Sequence, residues 1–202
     1  MSGGLATSLA PGFAHAVFDS QAVFRAVMDA LARPGTLRPL AGLPGAPHPL
    51  TPELAAIALA LADHEAPLWL DAPLAAAPDV AAFLRFHTGA ALVADPADAA
   101  FALVSDPERC PALDGFAQGT PEYPDRSATL VLAVRDLLPG GSLVLEGPGI
   151  PGQARLGAHP LPPDMMGRLA RNRAGFPRGV DHLLAAPGWV AGLPRTTAVM
   201  EG

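Results

Sequence analysis

The residues with chemical potential are few and scattered along this chain of 202 residues. Its six histidines are His15, His48, His64, His87, His159 and His182, and no two share the i, i+4 spacing that sets metal ligands on one helical face. Asp63-His64-Glu65 is the densest polar cluster, but it falls between a helical pattern and an apolar run and reads as a solvated loop. No serine sits in a Gly-x-Ser-x-Gly elbow, so the commonest hydrolase signature is missing. Cys110 lies between Arg109 and Pro111 and reads as an idle thiol whose pKa the arginine would lower slightly. The run Gly147-Pro148-Gly149-Ile150-Pro151-Gly152 imitates a phosphate-binding loop, yet Pro148 lacks an N–H and no helix pattern follows, so it reads as a tight turn. Arg168, Arg171, Arg173 and Arg178 concentrate positive charge. They suit either a phosphate or acidic partner, or a solvated helix end complementing the dipole.

What is missing is equally informative. All thirteen basic side chains are arginines, and a chain without lysine can form no Schiff base and offers no phosphate-loop lysine. Nineteen acidic residues bring the net charge to -6, which argues against nonspecific nucleic-acid binding. One cysteine cannot make an internal disulfide, and a reducing cytoplasm is the expected compartment. Met1 to Ala10 has neither the positive side chain nor the apolar core of a secretory signal, and the longest apolar stretch, Leu54 to Ala62, is far short of a membrane span.

Half the residues are hydrophobic, enough for one folded domain. Residues 1–15 are expected to be a flexible lead-in to a single α/β domain over 16–202. Asp19 or Ser20 is expected to cap a helix whose apolar stripe is Phe24, Val27, Met28 and Leu31, ended by Pro34-Gly35. Thr51-Pro52-Glu53 opens a second helix with Leu54, Ile57, Ala58 and Leu61 inward. A third, about Asp79 to His87, aligns Val80, Phe83, Leu84 and His87, which makes His87 a core or interface histidine with catalysis as the alternative. A fourth spans Asp164 to about Arg173. Strands are expected at Leu68–Leu70, Leu92–Val93, Phe101–Val104, Thr129–Val134, Leu183–Leu184 and Trp189–Leu193. Ser142–Leu145 is expected to pair with Thr129–Val134 across a Pro139-Gly140-Gly141 turn.

Seven stretches, in order, resemble the PhnH family of the carbon–phosphorus lyase system. They are Asp19 to Gly35; Leu61-Ala62-Asp63 with Pro67-Leu68-Trp69-Leu70; Leu84-Arg85-Phe86-His87-Thr88; Gly119-Thr120-Pro121-Glu122 with Ala128-Thr129-Leu130; Gly147-Pro148-Gly149-Ile150; Phe176 to Asp181; and Pro194-Arg195-Thr196-Thr197. The chain departs from the pattern at Ala66 and Met200.

The resemblance implies a three-layer α/β/α sandwich with a mixed sheet, like the pyridoxal-phosphate-dependent transferases but without the cofactor. The missing lysine agrees, since no internal aldimine can form. It also implies a subunit that, with PhnG, PhnI and PhnJ, forms α-D-ribose 1-methylphosphonate 5-triphosphate from ATP and methylphosphonate with release of adenine, and that is a homodimer when isolated. Of the polar residues inside the matched stretches, Arg85, His87, Glu122 and Arg195 are expected to be structural or interfacial. Arg195, Thr196 and Thr197 have the alternative of binding a triphosphate in a subunit that acts directly in the transfer.

Overall fold

The computed structural model describes residues 9–202. Its elements run α1 (Ala16–Ala32), β1 (Arg38–Pro39), α2 (Pro52–Leu61), β2 (Leu68–Leu70), α3 (Ala72–Ala75), α4 (Pro78–Thr88), β3 (Leu92–Val93), β4 (Phe101–Val104), β5 (Thr129–Ala133), β6 (Asp136–Glu146), β7 (Ala154–His159), α5 (Met165–Ala174), β8 (Asp181–Ala186), β9 (Trp189–Leu193) and β10 (Ala198–Glu201). Seven strands form a mixed sheet in the order β1-β9-β8-β5-β4-β2-β3, parallel from β3 to β8 and antiparallel at β9 and β1. β5 lies at its centre. Leu130, Val131 and Leu132 are all buried, as the continuous apolar run requires of a strand covered on both faces.

The two faces are covered differently. On one, α1, α2 and α4 pack over Leu68, Leu103, Val131, Leu183 and Val190. α2 is apolar nearly all round, since it lies between α1 and α4, and every residue from Glu53 to Ala58 is buried. Thr51 caps it by accepting the Leu54 N–H at 3.3 Å, with Pro52 in its first turn, as the sequence signature demands. On the other face lies a three-stranded antiparallel sheet, β10-β6-β7, together with α5 and the segment around Leu113 and Phe116. The chain is thus α/β with a mixed sheet, and its second outer layer is mainly β where helices were expected.

Two local expectations are corrected. α1 starts one turn early, at Ala16, and turns Val23, Val27 and Ala30 inward, leaving Phe24 and Met28 exposed. The reason is steric: a Cβ added to Gly192 of β9 would stand 2.7 Å from the Ala30 carbonyl, an approach open only to small residues on both sides. Ser142–Leu145 does not pair with β5. It belongs to β6, which pairs with β7 and β10, and Gly140–Ser142 form a bulge inside that strand, with Pro139 and Leu143 both opposite Leu156. Gly147–Gly152 turns β6 into β7, as expected. Among the described residues no helix is long and apolar enough to cross a membrane.

Candidate functional site

Arg195 follows β9 and is held by the chain's own atoms. Its Nε and Nη2 donate to the Asp181 carboxylate at 3.2 and 2.6 Å, and its backbone N–H donates to the same carboxylate at 2.7 Å. Nη1 donates to the carbonyls of Pro124 at 2.8 Å and Pro177 at 3.4 Å. The side chains of Arg195 and Asp181 are 13% and 22% exposed. One guanidinium therefore ties β8, the 176–179 loop and the loop bearing Glu122 to the end of β9. Four of the five N–H donors of the guanidinium are spent inside the chain. Thr196 is half-buried and its carbonyl accepts from Arg173 Nε at 3.4 Å. Thr197 is buried with its hydroxyl unpartnered. Glu122 is exposed in a turn closed by the Tyr123 N–H on Thr120 Oγ1.

Arg85 and His87 sit elsewhere, on α4, whose core face is Val80, Phe83 and Leu84. His87 is half-buried. Its Nε2–H donates to the Ala10 carbonyl at 2.9 Å, and its ring packs on Phe83 and Phe86 at 4.6 and 5.0 Å between centroids. A Cβ on Gly12 would meet the imidazole at 2.8 Å, so residues 10–12 are fitted against it. Of the expected lead-in, residues 1–8 lie outside the described residues, whereas Ala10 and Phe13 pack on the core. Arg85 is exposed beside a shallow cleft of about 400 Å³ lined by Trp69, Leu70 and Val93. Three strands separate β2 from β9 in the sheet, so the two groups of expected residues do not converge.

Sequence reasoning missed the buried carboxylate that matters most to the sheet. The chain runs from β2 outward to β3 and returns to β4 on the other side of β2, the reversal of strand order at which open α/β sheets collect ligands. Asp71 closes that crevice. Its carboxylate accepts the N–H groups of Ser105 and Asp106 at 2.7 and 2.9 Å, the Ser105 hydroxyl at 3.0 Å, and the Leu74 N–H at 3.3 Å. The only advance signal was Asp71-Ala72-Pro73, a cap before a proline at a helix start. Asn172 acts similarly on α5, exchanging two 2.8 Å hydrogen bonds with the backbone of Val180 and so fixing the 175–180 loop. A Cβ on Gly179 would stand 2.8 Å from its Oδ1.

The remaining chemistry is equally inward-looking. Burial pushes the Cys110 thiol up to about 11, which corrects the expected slight lowering by Arg109; the smaller opposing pull comes from Arg168, and the raised value suits an idle thiol. Arg168 donates to the carbonyls of Cys110 and Pro111, Arg171 pairs with Asp164 at 3.1 Å, and Arg178 is exposed. Three of the four clustered arginines are thus held by their own chain. Among the described residues no group of three or more His, Cys, Asp or Glu is placed to hold a metal ion.

Fold and site together define an α/β domain whose polar side chains are spent on its own loops. Residues 11–200 match the family of bacterial phosphonate metabolism proteins, PhnH, and the chain belongs to that family. It is 42% identical over 185 residues, 92% of each chain, to the α-D-ribose 1-methylphosphonate 5-triphosphate synthase subunit PhnH of Rhizobium meliloti (strain 1021). It is also 37% identical over 81 residues, 40% of this chain and 42% of the other, to HtxG of Stutzerimonas stutzeri, named as a candidate C-P lyase subunit.

Proposed function

We propose that this chain is a subunit of the assembly that makes α-D-ribose 1-methylphosphonate 5-triphosphate, and that it contributes recognition surfaces rather than a reacting group. The reading rests on the 42% identity over nearly the whole of a chain named as such a subunit. It is supported by the inward commitment of Arg195 and Asp181, inside the matched stretches, and of Asp71 and Asn172, outside them. The product carries its phosphonate on ribose C1, so a phosphonate oxygen forms the new bond as the glycosidic bond to adenine breaks. Four of the five N–H donors of the Arg195 guanidinium are engaged within the chain, which disfavours the alternative in which this subunit holds the triphosphate itself.

The partners are PhnG, PhnI and PhnJ in the cytoplasm, with neither nucleic acid nor membrane involved, and the isolated chain self-associates as a homodimer. The architecture is that of the pyridoxal-phosphate-dependent transferases, used without the cofactor because no lysine exists to bind it.

The test is co-expression with PhnG, PhnI and PhnJ, followed by size-exclusion chromatography with light scattering and an adenine-release assay. Co-elution in one large complex is the expected result. Elution of this chain apart, with full adenine release in the remaining fractions, would overturn the reading.

A further inference from the structure

The loop after α5 is fixed by its own backbone. The N–H of Gly175 donates to the Asn172 carbonyl at 3.2 Å, Phe176 to Arg173 at 3.1 Å, Arg178 to Gly175 at 3.1 Å and Gly179 to Gln118 at 3.0 Å. Val180 donates to Asn172 Oδ1 at 2.8 Å. Pro177 has no N–H, and its carbonyl accepts from Arg195 at 3.4 Å. Every backbone donor from 175 to 180 is therefore satisfied within the chain. Gly179 sits at φ +128°, which a side chain would resist.

The side chains on this rigid backbone are left over. Phe176 is 60% exposed, and Arg173 and Arg178 beside it are exposed too. Arg173 Nε touches only the Thr196 carbonyl, and among the described residues neither guanidinium pairs with a carboxylate. From residue 164 to 195 the only carboxylates are Asp164 and Asp181, already paired with Arg171 and Arg195. Across the Arg195 clamp, the 120–126 loop carries Glu122 and Asp125 beside Arg126. The uncompensated positive charge thus lies on the 173–178 side, in a chain whose net charge is -6.

We infer that this loop docks on another subunit of the assembly, one that presents an apolar pocket rimmed by carboxylates. Phe176 fills the pocket, and Arg173 and Arg178 meet the rim. The inference rests on the subunit reading above. Charge selects the occupant, because two unpaired arginines flank a ring that this chain does not cover. Balancing the α5 dipole accounts for Arg171 and Arg173 in its last turn, but neither for Arg178, beyond the helix end, nor for an exposed aromatic between them. Aromatic and arginine side chains are what binding hot spots are made of. A backbone that is already fixed loses little freedom on docking.

The test is retention of PhnG, PhnI and PhnJ on the tagged chain after co-expression. F176A/R178E should lower the retained subunits about tenfold or more, with the urea midpoint of the isolated chain unchanged, since the loop's backbone hydrogen bonds all remain. Arg155→Glu makes the same charge change at an exposed arginine of β7 and should retain them as the wild type does. Full retention by F176A/R178E overturns the docking site and leaves the subunit reading standing. A wild-type chain that retains none of the three overturns both. An equal loss with Arg155→Glu shows an effect of bulk charge and overturns the site. So does a halved mass of isolated F176A/R178E in light scattering, which would assign the loop to a second copy.

Discussion

Arg195 shows how an arginine in a matched stretch earns its place without touching a substrate. Removing it would leave Asp181 without its counter-charge and two carbonyls without their donor. Loss of one member of such a sparsely hydrated pair costs about 3 kcal/mol. Arg195→Ala should therefore lower the free energy of denaturant unfolding by about that amount, and an unchanged midpoint would show that the clamp carries no stability. His182 poses the opposite problem. It is fully buried on β8, neither ring nitrogen finds a hydrogen-bond partner, and burial pulls its pKa down to about 4 against smaller opposing pulls from Asp181 and the Leu193 backbone. The unfolded chain, with an ordinary histidine near 6.5, takes up a proton that the folded chain refuses. Stability attached to this residue is complete above about pH 6.5 and falls, by up to about 1.4 kcal/mol per unit, as the pH drops toward 4. His182→Leu, which removes two unsatisfied polar atoms, should flatten that acid limb in a series of urea titrations.

At the scale of elements, the joint between β2 and β4 depends on Asp71. Its carboxylate gathers two backbone N–H groups of the 105–106 segment, a hydroxyl, and the first turn of α3, all on a residue that is 5% exposed. Asp71→Ala would orphan those donors and should cost about 3 kcal/mol. Hydrogen exchange should accelerate first at Ser105 and Asp106, and protection that stays intact there would refute the joint. The same scale shows what was legible in advance. Each helix named from its pattern is present, because caps such as Thr51 and stripes such as Leu54, Ile57 and Ala58 are local signals. The inner face of α1 was misread because pattern reasoning favours the larger apolar residues, whereas the close approach at Gly192 selects Ala30 and so turns Val23 and Val27 inward with it. Pro139-Gly140-Gly141 has the composition of a turn, and nothing local distinguishes a turn from a bulge whose Gly141 must pass against Gly157. Asp71 and Asn172 were invisible as clamps because their partners lie 34 and 8 residues away and are backbone groups with no residue identity to detect.

For the molecule as a whole, the sheet divides two cores of different construction, one roofed by helices and the other by β6, β7 and β10. The α/β class and the single domain were legible from alternating patterns and even composition. The β character of the second roof was not, since β10 is four residues long and β6 runs through a proline and two glycines. The connectivity has a further consequence. β1, at Arg38–Pro39, pairs with β9 at Trp189–Val190, and α1 rests on that same strand. About 150 residues separate the two sides of this joint, so at 5–20 residues per second a ribosome needs on the order of ten seconds or more to supply the second after the first. Throughout that interval α1 can meet α2 but has no strand to lie on, so the side it turns to β9 and its outer side are both open to water. The nascent chain is thus most exposed to misassociation at α1, and the arrival of β9 relieves it.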